Sequence, residues 1–417
     1  MTVLLNKKAV KLRNLLSKQS DFYRVKLSNY NTENISMNEL SSIPLTTKNE
    51  LLSASPYDLL GVEFSEIAHY HESSGTTGKS SSSWFTREDL KTGGTQLNQM
   101  GVNLNKDDLV LIRFPFALSC PAYLMQEACA QVSAGVVPAS SRNTITPYVK
   151  VLELMRNLEI TVFAGLAREL ELLIETAKML DFTMSEAFPH LRAVCVAGEL
   201  LGDQRKEYLE RVLNVPVYGF YGSTETANIA SMCRNGKMHI SEEDFITEVL
   251  DEHSKVPLAN GKGLLAVTTL SHQGSPLIRY LNEDVVSIKE TKCKCGHKGS
   301  EIIVHGRQRE RIFNSNGEIL EALHIQNAIY SLRSIPIAWQ VNEESDHLRV
   351  IVNYRQSMLE KDINRIEAHL SQTLNSSVKV RLDWDNKLIN PEELLKNKVS
   401  LKPVYINTLD KTKNEEG

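Results

Sequence analysis

Three short stretches of the chain carry residue types that can handle polyphosphate, a hard cation and a ribose. The first is SSGTTGK, Ser73 to Lys79. Gly75 and Gly78 let the backbone approach a polyphosphate closely. Ser73, Ser74, Thr76 and Thr77 offer hydroxyl donors to phosphoryl oxygens, and Lys79 adds a cation. A Walker A loop would need a glycine five positions before Gly78, where this chain has Ser73, so an ordinary P-loop is not the reading. The second stretch is YGSTE: Tyr221, Gly222, Ser223, Thr224 and Glu225. The Glu225 carboxylate suits Mg²⁺, which prefers carboxylate plus phosphate oxygens. The third, PLIRYLNED, ends in Asp284, a partner for ribose hydroxyls, and GRQRERI (306–312) follows where the sequence pattern changes.

A further constellation is independent of phosphate. Cys233 and His239 are spaced C-x5-H, and Cys293 and Cys295 are spaced C-x-C. Three thiolates and one imidazole would make a closed tetrahedral zinc site of the structural type. His297 is a rival ligand, and free cysteines are the alternative. Cys120, Cys129 and Cys195 lie in apolar runs and are expected in the core. His71, beside the first loop, could approach a phosphate, although a lone histidine is more often a local hydrogen-bond partner.

These residues need a scaffold to converge. From about residue 107, apolar strand-like runs (DLVLIRF, GVVPAS, ITVFAG, LRAVCVAG, VPVYGFYG) alternate with amphipathic helical runs. That alternation predicts a parallel or mixed sheet covered by helices on both faces. Ligands of such sheets gather at the carboxyl ends of strands, where AGE (Gly198 and Glu199) and YGSTE fall. GLLAVTTL and LIRYLNEDVVSI predict a β-rich antiparallel part. After Arg307, helix 321–333, the strand pair AWQV and LRVIVNYR, helix 359–374 and VKVRLDW predict a small α+β domain. The expected division is 1–308 and 309–417, with a polar tail from about 408 expected to be disordered.

Composition sets limits on function. The 417 residues suffice for two domains with real cores, at 41% apolar and 24% charged residues. A net charge of −4 with no basic block gives no reason to invoke nucleic acid, and no apolar run approaches a membrane span. Six scattered cysteines suit a reducing compartment, so the expected location is cytoplasmic.

The motifs, in this order, resemble the adenylate-forming superfamily of acyl-CoA synthetases, peptide-synthetase adenylation domains and luciferases. FYRVKL, LSSIPLTTKNELL, the PLIRY form of the ribose motif and CKCG before GR are most similar to the phenylacetate–CoA ligase family. The resemblance implies a large N-terminal α/β domain and a small mobile α+β lid. It implies that residues 73–79 grip the β- and γ-phosphates of ATP, Tyr221 packs on adenine, Thr224 contacts the α-phosphate and Glu225 binds Mg²⁺. Asp284 would hold the ribose with Arg307 beside it, and Gly198 and Glu199 would line the adenine site.

The implied reaction activates a carboxylic acid as acyl-AMP with release of pyrophosphate, then transfers it to the thiol of coenzyme A. The phosphopantetheine of an acyl carrier protein is an alternative acceptor, and a non-catalytic nucleotide-binding member is a rival. Phe114, Phe116, Tyr123 and Phe220 could wall an apolar pocket, suited to an aryl acid, or belong to the core. Homodimer formation stays open. Two positions depart from the family pattern. The hinge position, commonly Asp or Lys, is Arg309 here. The catalytic lysine of a Gly-Lys pair is replaced by LLKNKVSLKPV, where Lys398 after Asn397 is the best match and Lys396 and Lys402 are rivals.

Overall fold

The computed structural model describes residues 2–30, 32, 37–73, 80–290, 292–297, 299–356, 358–396 and 405–407. Lys79, Lys398 and Lys402 lie outside the described residues, as do the loop positions Ser74, Gly75, Thr76, Thr77 and Gly78.

Among the described residues one 12-stranded sheet organises the first three quarters of the chain. Five strands run parallel in the order Val217–Ser223, Ala193–Ala197, Val162–Leu166, Leu109–Ile112, Gly135–Pro138. Strand Ala193–Ala197 is buried at every position, as expected for a parallel strand with both faces covered. One covering layer comes from helices Tyr148–Asn157, Ala167–Met179 and Asp203–Leu213, around Phe163, Leu170, Leu173 and Val194. The other comes from helices Arg87–Leu97 and Pro121–Gln131, around Phe85, Leu124, Val110 and Cys195. The pair Gly93-Gly94 would weaken an isolated helix, but here it lets two helices touch. A Cβ on Gly93 would meet Leu124 Cδ2 at 2.6 Å, and one on Gly94 would meet the Ala128 nitrogen at 2.9 Å.

The β-rich part shares this sheet. Strand Val217–Ser223 pairs parallel with Ala193–Ala197 on one edge and antiparallel with Ala227–Met232 on the other. Beyond it run Met238–Ile240, Ser300–Arg307, Tyr280–Glu290, Lys262–Thr269 and Phe245–Leu250. The N-terminal helix Thr2–Ser17 lies against this half, burying Leu12 and Leu16 with Tyr23, Ile43 and Ile278. Lys8 is paired with Glu242, and Lys11 with Asp244 at 3.3 Å.

After a short 3₁₀ turn, Gln308–Glu310, the chain builds a smaller unit. Its sheet runs Val378–Leu382, Leu348–Asn353, Ala338–Glu343, Ile406–Asn407. Helices Ala322–Tyr330 and Glu360–Thr373 cover it over a separate core that includes Ile325, Ile329, Trp339, Val350 and Leu370. No helix among the described residues is long and apolar enough to cross a membrane.

Candidate active site

The site begins at the end of strand Val217–Ser223, where the chain reverses within three residues. Gly222 has to be glycine, because a Cβ there would lie 1.8 Å from the Ala227 carbonyl oxygen. The turn is pinned locally: Ser223 N–H donates to Thr226 Oγ1 at 3.0 Å, and Thr226 N–H to Ser223 Oγ at 3.2 Å. This places Glu225, only 5% exposed, beside the hairpin of strands Ile67–Glu72 and Ser82–Thr86 that carries the 73–79 loop. Ser73 and Ser81 clamp the two ends of that loop. Ser73 N–H donates to the Ser81 carbonyl at 3.0 Å, and Ser81 N–H to Ser73 Oγ at 2.9 Å. The Ser81 hydroxyl donates to the Glu225 carboxylate. Sequence alone assigns no role to Ser81 or the rest of the SSSS run at 80–83. The part of Ser81 is visible only once the loop's ends meet.

Asp284 and Arg307 face one another across paired strands, with Arg307 Nε 3.7 Å from Asp284 Oδ1. The Tyr221 phenol donates to Asp284 Oδ2, and Asn282 Nδ2 reaches the Tyr221 hydroxyl at 3.0 Å and Asp284 at 3.1 Å. Burial pushes the Asp284 carboxyl above the ordinary aspartate value, against the lowering pull of Tyr221 and Arg307. Burial, then the charge of Asp284, pushes the Tyr221 phenol well above its ordinary value. Asn282, which the sequence reading passed over, therefore belongs to this group.

Gly198, with φ +76, turns the chain out of strand Ala193–Ala197. The Glu199 carboxylate is already committed: it accepts from Arg168 N–H at 3.2 Å and Arg205 Nη2 at 2.9 Å. Thr224 is half-buried in the YGSTE turn, next to Glu225.

The four aromatic residues divide. Phe114 and Phe220 are buried and pack edge-on at 5.6 Å, inside the core. Phe116 and Tyr123 are half-buried and meet edge-on at 5.3 Å, with His69 4.7 Å from Tyr123. His71 is buried, and burial lowers its imidazole to about 4, so it is neutral near pH 7 and offers a phosphate no charge. Cys120, Cys129 and Cys195 are buried, as expected.

The cysteine–histidine set converges from three segments. Donor atoms of Cys233, His239, Cys293 and Cys295 all lie within 4.8 Å of one another. Cys233 Sγ is 3.8 Å from Cys293 Sγ, and Cys295 Sγ is 3.5 Å from His239 Nε2. His297 stacks on His239 at 4.6 Å, and its N–H donates to Cys295 Sγ at 3.3 Å. Asn235 Nδ2 reaches Cys293 Sγ at 3.5 Å. Donors aimed at sulfur suit thiolate ligands, so this set fits a zinc ion.

The profile of the AMP-binding enzyme family matches residues 63–263, which hold the loop, Gly198-Glu199 and the YGSTE turn. Just under half of the chain is thus similar to AMP-binding enzymes. A curated phenylacetate–coenzyme A ligase from Thermus thermophilus is 25% identical over 268 residues, 62% of this chain. That match spans 59% of the Thermus protein's length. Among solved structures, a 2-hydroxyisobutyryl-CoA ligase in its postadenylation state superposes with TM-score 0.85 and 17% identity, over 99% of this chain and 90% of that one. The same ligase in its thioesterification state gives 0.67 at 18% identity, over 98% and 89%. The region similar to AMP-binding enzymes thus sits in a chain that shares its overall fold with this solved structure. Arg309 is exposed in the turn Gln308–Glu310, between the large sheet and the smaller unit.

Proposed function

We propose that the chain is an AMP-forming acid–thiol ligase with an aryl or other apolar carboxylic acid as substrate and coenzyme A as acceptor. The observation that carries this reading is Glu225. It is a buried carboxylate at the end of the YGSTE strand, hydrogen-bonded to the serine that closes the phosphate loop. A carboxylate in that place has a use where a divalent cation meets phosphate oxygens.

In the first half, a substrate carboxylate oxygen attacks the α-phosphorus of ATP, and the bond to the β-phosphate bridging oxygen breaks. Acyl-AMP and pyrophosphate result. Mg²⁺ held by Glu225 would neutralise phosphate charge there. Lys79 adds a cation on the loop and Lys398 one from the lid. Thr224 reaches the α-phosphate. The ribose lies against Asp284 and Arg307, and the adenine against Tyr221 and the Gly198-Glu199 backbone. In the second half, a thiol loses its proton, sulfur attacks the acyl carbonyl, and AMP departs with the electrons of the broken C–O bond. Phe116 and Tyr123, both half-buried, would meet the acyl group. Residues 1–308 bind the substrates and 309–417 form a lid that turns about Arg309. The higher superposition score against the postadenylation conformer than against the thioesterification conformer of one ligase supports a lid set for acyl-AMP.

The Cys233, His239, Cys293, Cys295 set holds a structural zinc, because four protein ligands leave no open position for catalysis. A panel of carboxylic acids scored for ATP-dependent pyrophosphate release, with coenzyme A and then holo-carrier protein as acceptor, tests the reading. No release with any acid would remove it.

A further inference from the structure

Helix Asp203–Leu213 starts at Gly202, which has no side chain to cap it. The first turn of a helix leaves N–H groups that need acceptors, and here the smaller unit supplies them. Gln326 Oε1 accepts from Gly202 N–H at 2.7 Å, and Asn327 Oδ1 accepts from Gln204 N–H at 3.3 Å. Both amides project from helix Ala322–Tyr330. Gln326 also donates through Nε2 to the Leu200 carbonyl at 3.1 Å, on the turn that carries Gly198 and Glu199.

The contact needs the glycine. A Cβ at Gly202 would lie 2.4 Å from Asn327 Oδ1, 3.0 Å from Gln326 Oε1 and 3.1 Å from Leu323 Cδ1, all of them in the smaller unit. Its backbone, φ −72 and ψ 160, is ordinary for any residue, so the constraint is the approach of the smaller unit and not backbone strain. Beside this contact, Arg205 is fully buried and holds its ion pairs within the larger unit. It pairs in bidentate fashion with Glu171 at 2.8 and 3.0 Å, and with Glu199 at 2.9 Å. The Tyr330 hydroxyl donates to Glu171 at 2.6 Å, with the Arg205 guanidinium 5.5 Å from its ring centre.

We infer that Gly202, Gln326 and Asn327 are positioning residues: an empty notch and a cap supplied across the domain boundary, which complete the Gly198–Gly202 turn only when the lid is docked as seen here. This rests on the ligase reading. It adds that docking at this notch serves acyl-AMP formation and is released for thioester formation.

The test uses the full-length protein with two variants. Gly202→Asp installs a preferred cap residue, so the helix caps itself while the new side chain fills the notch. The double variant Gln326→Ala, Asn327→Ala removes the supplied cap and leaves the notch open. Both are assayed for acid-dependent ATP–pyrophosphate exchange, for thioester formation from supplied acyl-AMP, and for amide hydrogen exchange across 322–330. Loss of the three hydrogen bonds made by Gln326 and Asn327, or a filled notch, should slow pyrophosphate exchange about tenfold or more. Thioester formation should stay level or rise, and amides in 322–330 should exchange faster. Equal loss in both half-reactions, or full exchange activity in both variants, overturns the inference. If the wild-type protein activates no acid, the ligase reading falls by itself. Amide exchange then decides the notch, and unchanged protection of 322–330 in Gly202→Asp overturns it.

Discussion

Ser81 and Glu225 lie 144 residues apart, yet the serine hydroxyl donates to the buried carboxylate. Ser81 in turn holds Ser73, so the carboxylate is mechanically linked to both ends of the 73–79 loop. Glu225→Gln keeps an oxygen that can accept from Ser81 but removes the charge that attracts a hard cation. The Mg²⁺ concentration giving half-maximal pyrophosphate exchange should rise about tenfold or more, with little change in melting temperature. Unchanged metal dependence in a Mg²⁺ titration would make Glu225 a structural residue.

Asp284 carries a stability cost that its proposed ligand role explains. Its carboxyl is raised in the folded state, because burial disfavours the charge. The folded protein therefore holds that proton more tightly than the unfolded chain does. The resulting stabilisation is present below the ordinary aspartate value and is lost as pH rises through the raised one. Asp284→Asn cannot ionise and escapes the loss. Its melting temperature relative to wild type, measured without ligand from about pH 4 to pH 7, should therefore improve as pH increases. The apparent KM for ATP should rise at the same time. A variant that melts progressively lower than wild type toward neutral pH would contradict the assignment.

The cysteine–histidine set predicts about one zinc per purified chain and a lower melting temperature after chelation. Cys295→Ser should lose the metal. Elemental analysis of that variant and of the wild type, beside thermal melts, checks this. A metal-free wild-type preparation whose melting temperature ignores chelator excludes the site.

Lys398→Ala should slow acyl-AMP formation roughly 10²–10³-fold and leave thioester formation from supplied acyl-AMP nearly intact. Lys396, exposed at the end of the 3₁₀ turn Pro391–Leu395, and Lys402 are the controls and should be mild in both halves. Single-turnover assays of the two half-reactions separate the three lysines. A half-reaction-specific loss at Lys402 instead would shift the motif register by four residues.

Local chemistry made much of this protein legible before folding was considered. Strand and helix periods follow from alternation of apolar residues, so the parallel strands and their helices fell within a few residues of where the sequence put them. SSGTTGK, YGSTE and the aspartate of PLIRYLNED stand out by side-chain type as candidates, because binding phosphate, cation or ribose would require particular donors and charges. The cysteine and histidine spacing likewise pointed to four donor residues, which the fold brings together.

Tertiary structure decided what depends on contacts between distant segments. Sequence could not separate Phe114 and Phe220, which are core, from the half-buried Phe116 and Tyr123, because burial depends on which strand faces which helix. The value of Ser81 and Asn282 arises only where strands far apart in sequence meet. Gly93-Gly94 reads as a helix breaker until Leu124 and Ala128 are packed against it. Gly202 reads as an ordinary loop glycine. The helix it fails to cap is completed by Gln326 and Asn327, more than 120 residues further along the chain. A hydrogen-bond vacancy of that kind has no local signature, since its partner exists only in the folded arrangement.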